Sequence, residues 1–210
     1  MTPVVRLDPS GPPVLTYRPP HMDEVVWWQR TIHAEVARKF GAPFDGWRWP
    51  RYAGLCLNVP RANPVSSEMA RRMNFTYHGV GVFHRDEPTQ PLALAIYLPN
   101  TKNLRPGGPG ILYLEWLSAR PAGTHGYGKT VGFGRYLMDW LILQSLEAGL
   151  DGRLSLHAAT EGLRPVYEGW GFERIGEAVP LIRNRRNNGL FYELQPQAAL
   201  AFRQRLDHLR

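Results

Sequence analysis

The spacing of apolar positions changes several times along the chain, and each change predicts an element. From Met22 to Phe40, Val25, Trp28, Ile32, Val36 and Phe40 share one stripe at helical spacing, and Gly41 with Pro43 ends that helix. Two short extended pieces precede it, around Val4–Leu7 and Val14–Tyr17, broken by prolines. An aromatic and basic loop follows, Phe44–Tyr52, and then a short helix around Ser66–Met73. Thr76–His84 and Leu92–Leu98 predict adjacent strands joined by a charged turn with Pro88 and Pro91. A Gly/Pro-rich loop, Asn100–Gly110, leads into the strongest strand, Ile111–Ala119. Beyond a glycine-rich loop, Gly134–Ala148 is apolar on nearly every side, which predicts a helix buried on more than one face and stopped by Gly149.

The remaining segments are shorter. Arg153–His157 reads as a strand, and Leu163–Trp170 as a helix with Pro165 in its first turn. Phe172–Ile175 and Leu190–Leu194 read as closing strands with a turn at Asn188-Gly189, and Ala198–Leu209 as a C-terminal amphipathic helix. This order predicts an α/β (α+β) fold: a single mixed sheet with helices on its faces. At 210 residues the chain fits one domain, in which 1–73 form an N-terminal strand and helix arm, 74–194 the core, and 195–210 the last helix.

Composition narrows the chemistry. No run approaches the roughly 18 apolar residues that span a bilayer, and the N-terminus has no signal-peptide pattern, so a soluble cytoplasmic protein is expected. Cys56 is the sole cysteine, which leaves no internal disulfide and no cysteine-based zinc site, and no metal is expected. The net charge of +7 predicts anionic partners, coenzyme phosphates, acidic metabolites and RNA among them. The basic residues are scattered, however, so charge alone does not define a nucleic-acid binder.

The informative stretch runs from Tyr113 to Gly134. A strand delivers the chain into a loop with Gly123, Gly126, Gly128, Gly132 and Gly134, and a helix begins there. Converging backbone N–H groups and the positive end of a helix make a pyrophosphate cradle. Taken literally, Gly123–Thr130 also satisfies the G-x-x-x-x-G-K-[ST] pattern of P-loop nucleotide triphosphatases. Against that reading, the strand ends several residues before Gly123 and the next strand, Leu154-Ser-Leu-His, has no terminal Asp for Mg²⁺.

Lys129-Thr-Val-Gly-Phe-Gly134 resembles the [QR]-x-x-G-x-[GA] motif of the GNAT superfamily of N-acetyltransferases. Leu117-Ser-Ala-Arg-Pro121 is similar to the end of that family's fourth strand, and Val166-Tyr-Glu-Gly-Trp-Gly-Phe172 to its signature after the fifth. The resemblance covers residues 74–194, with Lys129 in place of Gln or Arg and Thr160 in place of an Asn. It implies a mostly antiparallel sheet, and transfer of an acyl group, acetyl first of all, from acyl-CoA to an amine in a ternary complex. The cradle would comprise Leu117, Ser118, Ala119, Gly126, Gly128, Lys129, Thr130, Val131, Gly132, Phe133, Gly134, Arg135 and Thr160.

An amine with a pKa of about 10.4 is protonated at neutral pH, so such a reaction needs a base as well as an acid for the thiolate. Glu115 lies mid-strand in an apolar run, where a carboxylate calls for a partner or a task, and the resemblance places a base there. His157 is the alternative base, and the resemblance assigns the acid to Tyr167. The acceptor wall would include Trp47, Trp49, Tyr52, Arg183 and Arg185, suiting a flat or anionic amine, a small molecule or a peptide. Nucleic acid remains a second kind of partner, and the state monomeric or homodimeric. Two rival functions stand beside this one: an ATP-dependent enzyme using Gly123–Thr130, and a non-catalytic module that senses acyl-CoA or binds RNA.

Overall fold

The computed structural model describes residues 14–40, 47–59, 77–101, 107–120, 132–175 and 189–209. Its strands are β1 (Leu15–Arg18), β2 (His78–His84), β3 (Glu87–Thr101), β4 (Ile111–Ala119), β5 (Leu154–His157), β6 (Glu173–Arg174) and β7 (Phe191–Leu194). Its α-helices are α1 (Met22–Trp28), α2 (Ala34–Phe40), α3 (Trp49–Ala53), α4 (Phe133–Glu147), α5 (Arg164–Trp170) and α6 (Pro196–Gln204). The strands form one seven-stranded sheet in the order β1-β2-β3-β4-β5-β7-β6. Every neighbouring pair is antiparallel except β4 and β5, which α4 connects as a parallel pair.

Alternation along the strands sends side chains to two cores. Ala93, Ala95 and Tyr97 of β3, with Leu112 and Leu114 of β4, pack under α4 and α6. Leu94 and Ile96 instead meet Val25, Trp28 and Ile32 from the N-terminal helices and Trp49 and Ala53 of α3. Helices on both faces explain why β3 is apolar throughout Leu92–Leu98. The all-round apolarity of α4 has the same cause, since it packs on β2, β3, β4 and β5 and also against α6. Inside that contact Asp139, 1% exposed, accepts a hydrogen bond from Arg203 Nε at 3.0 Å. Past α4, Gly149 adopts φ 72° and Leu150 N–H donates to Ser145 O, which closes the helix where a glycine permits a left-handed residue.

Several boundaries differ from the sequence-based expectation. The Met22–Phe40 helix contains a π-helical turn, Gln29–His33, between α1 and α2. The Phe44–Tyr52 segment is not all loop, because Pro50 in its first turn starts α3 at Trp49 and Gln29 Oε1 accepts the Trp49 N–H at 2.8 Å. Only Arg85 and Asp86 make the β2–β3 turn; Pro88 and Pro91 fall inside β3, where the ladder to β2 slips register and needs fewer N–H donors. The last helix starts earlier, at Pro196, and tightens to a 3₁₀ turn at Asp207–Leu209. The extended piece at Val4–Leu7, the helix at Ser66–Met73 and most of the glycine-rich loop lie outside the described residues.

Candidate functional site

The site begins where β4 and β5 part. Their parallel ladder runs only from Leu112↔Leu154 to Leu114↔Leu156, while β4 stays paired to β3 as far as Ala119↔Ala93. Beyond His157 the chain follows β7, with Ala158 N–H donating to Leu190 O. Among the described residues, no strand therefore covers the β5-facing side of Glu115–Ala119. Arg120 N–H points to β3, donating to Leu92 O at 2.9 Å. Backbone direction alternates along a strand, so the N–H groups of Leu117 and Ala119 turn toward the uncovered side.

A β-bulge sets the geometry at Glu115. Tyr97 pairs with Leu114 and Ile96 with Trp116, so Glu115 is the extra residue, side by side with Trp116 opposite Ile96. Ile96 belongs to the core beneath α1 and α3, so the bulge turns Glu115 and Trp116 toward that face. Glu115 is 8% exposed. Trp116 contacts Trp47, with ring centroids 4.6 Å apart, and Tyr52, 4.5 Å apart. Two of the proposed acceptor-wall residues thus stand next to the proposed base through Trp116, which the sequence analysis did not single out.

The other face carries the start of α4. A Cβ placed on Gly134 would sit 3.6 Å from Ala119 Cβ, 3.8 Å from Leu117 and 3.5 Å from Trp170, all ordinary contacts. The N-terminus of α4 accordingly lies over the uncovered part of β4, with α5 beside it. Gly132 is the N-cap, at φ −58° and ψ 140°, and a Cβ there meets no described atom within 4 Å. Neither glycine is required by its own backbone angles. Phe133 is buried and Arg135 exposed.

Tyr167 lies on α5 in the same core. Its ring meets Trp170, Phe172 and Tyr192 at 5.8, 5.9 and 5.8 Å. Burial first, and the neighbouring Tyr192, push its hydroxyl up to about 12, so it holds its proton throughout the neutral range. Gly171, at φ 96°, caps α5, and Phe172 N–H closes the turn on Tyr167 O. The glycine before Phe172 thus has a backbone reason that Gly132 and Gly134 lack.

The other expected residues are placed less tightly. Thr160 caps the 3₁₀ turn Glu161–Leu163 that leads into α5, and Ser118 is half-buried on β4. His157 ends β5 with its ring 4.5 Å from Phe191. Trp49 is buried, with its ring 6.5 Å from that of Trp47. Gly126, Gly128, Lys129, Thr130, Val131, Arg183 and Arg185 lie outside the described residues. No group of metal-ligating side chains occurs among the described residues, and no described helix is long and apolar enough to cross a membrane.

No family model and no curated protein matches the sequence. Solved structures do match. A GNAT-family acetyltransferase from Staphylococcus aureus Mu50 is 10% identical, covering 87% of this chain and 99% of that one at a TM-score of 0.51. A GCN5-related N-acetyltransferase from Ralstonia eutropha JMP134 is 20% identical, covering 80% and 98% at a TM-score of 0.45. The AtaTR structure bound with AcCoA is 14% identical, covering 66% and 78% at a TM-score of 0.41. At 10% identity the Staphylococcus likeness is one of fold, and it agrees with the mixed sheet, the one parallel pair and the helix between its strands. The chain has the GNAT fold.

Proposed function

We propose that the protein transfers an acyl group, acetyl first of all, from acyl-CoA to an amine by direct attack. The observation that carries this reading is the uncovered edge of β4 at Leu117 and Ala119, overlaid by a helix N-terminus whose Gly132 faces no described atom. An extended pantetheine arm can add to such an edge as a strand would, and backbone N–H groups at Gly132–Gly134 can receive the pyrophosphate. The co-substrate supplies the thioester. The N–H of Leu117 or Ala119 polarises its carbonyl.

In this reading Glu115, on the α1 and α3 face of the sheet, acts as the base, and Tyr167, in the core on the other face, acts as the acid. The amine nitrogen bonds to the thioester carbon while its proton passes to Glu115, directly or through water, and the C–S bond then breaks. Tyr167 donates to the departing sulfur. With its hydroxyl at about 12 and a thiol near 8.5, complete transfer would be uphill by about 3.5 pH units, roughly 5 kcal/mol. Tyr167 therefore acts as a hydrogen-bond donor in the transition state, and solvent completes the protonation. Trp47, Tyr52 and Trp116 wall the acceptor side, with Trp49 behind them.

The P-loop reading loses support from the sheet, in which a single parallel pair stands among antiparallel neighbours. Calorimetric titration with acetyl-CoA, and separately with ATP and Mg²⁺, tests the proposal. Acetyl-CoA binding without an ATP signal is expected, and the reverse result would overturn it.

A further inference from the structure

The core beneath α1 and α3 contains two buried indole N–H groups without an acceptor among the described residues: those of Trp28, 0% exposed, and Trp49, 3% exposed. Unsatisfied buried donors are rare in native proteins because each forfeits its hydration. Both side chains are closed to solvent, and they form the packed floor against which Trp47, Tyr52 and Trp116 rest. Beside them lies the half-buried aromatic surface of Trp116, Trp47 and Tyr52. Arg48 and Arg51, both exposed, are the chain neighbours of Trp47 and Tyr52 at the start of α3.

This surface is held in place from below. The π-helical turn carries Gln29, whose side-chain oxygen accepts the backbone N–H of Trp49 at 2.8 Å, and buried His33, whose ring lies 5.9 Å from Trp47 and nearly parallel to it at 12°. A π turn inserted into a helix often marks a functional position. Here it fixes the backbone that carries the aromatic rings.

We infer that this surface selects the acceptor, and that the acceptor is an amine carrying both an aromatic ring and an anionic group. The inference rests on the acyltransfer reading of the same site. The ring of the acceptor lies on Trp116, which places its amine beside Glu115 at the uncovered edge of β4. The anionic group takes charge-assisted hydrogen bonds from Arg48 and Arg51. Aliphatic amines gain neither interaction.

The test measures thiol release from acetyl-CoA with L-tryptophan, L-phenylalanine, 3-aminobenzoate, tryptamine and L-alanine, using the full chain and its Trp116→Leu variant. Acetyl-CoA affinity is titrated in parallel. The expected result is that the ring-bearing acids exceed both tryptamine and alanine in kcat/KM by about tenfold or more. Trp116→Leu should lower kcat/KM for the ring-bearing acids by about threefold to tenfold, the usual worth of an aromatic pair, with acetyl-CoA affinity unchanged. If Trp116→Leu fails to fold by circular dichroism, Tyr52→Leu carries the same comparison. Alanine matching tryptophan, or an equal loss for every amine, overturns the inference and leaves acyltransfer standing. Tryptamine matching tryptophan overturns the requirement for an anionic group. Failure of acetyl-CoA to bind overturns both readings.

Discussion

The two glycines at the start of α4 invite paired substitutions with opposite consequences. Gly134→Ala places a methyl at ordinary contact distance from Ala119, Leu117 and Trp170, in the first turn of a helix and at a backbone conformation open to any L residue. Alanine is favoured over glycine in a helix by about 0.5–1 kcal/mol, so the variant should be more stable. In a chain of this length that is a rise in Tm of about 2–4 °C. Acetyl-CoA affinity should be unchanged, because the added methyl faces β4 and α5. Gly132→Ala is different. At an N-cap alanine is the poorer residue, which offsets its lower unfolded-state entropy, so stability should stay within about 0.5 kcal/mol. Its methyl enters space that holds no described atom, where the pyrophosphate is proposed to lie. Losing one charge-assisted hydrogen bond there costs about 1.5–3 kcal/mol, or roughly tenfold to a hundredfold in Kd. Calorimetry with acetyl-CoA and thermal melts of both variants provide the assay. An unchanged Kd for Gly132→Ala, or a weakened one for Gly134→Ala, would refute the placement of the cradle.

The remaining expectations concern the proton carriers and the packing of α4. Tyr167→Phe should lower kcat with little change in acetyl-CoA affinity, as stopped-assay kinetics and titration would report; unchanged turnover removes Tyr167 from the donor role. Because the folded hydroxyl titrates near 12 against an unfolded value of 10, its stabilising contribution is complete below pH 10 and is lost as pH rises through 12. The loss reaches about 3 kcal/mol, and Tyr167→Phe should remove it from a denaturation series between pH 9 and about 12. Glu115→Gln should slow turnover most at neutral pH and less at high pH, where free amine is abundant; a loss independent of pH would instead indicate structural damage. Arg203→Met removes the charged donor to buried Asp139 in the α4–α6 contact and should cost about 1.5–3 kcal/mol in urea denaturation, while the double variant with Asp139→Leu recovers most of it.

Local chemistry in the sequence determined much of this protein. Ile111–Ala119, the long apolar helix after it, the stop at Gly149 and the cap at Gly171 are legible because period, propensity and glycine conformation act over a few residues. The stretches Lys129–Gly134 and Val166–Phe172 are legible in another way, through their resemblance to motifs of the GNAT superfamily, and that resemblance implied the fold. The tertiary structure decided the rest. The bulge that sets Glu115 beside Trp116 is a mismatch between two strands, so no reading of β4 alone contains it. The parting of β4 from β5 after Leu114 depends on β7 drawing β5 aside, and residues 191–194 are far from 111–119 in the chain. Trp47 and Tyr52 meet Trp116, and Gln29 starts α3, only because helices on one face of the sheet bring them together. Contacts of that kind follow from which faces are buried against which, a property of the assembled sheet and its two cores.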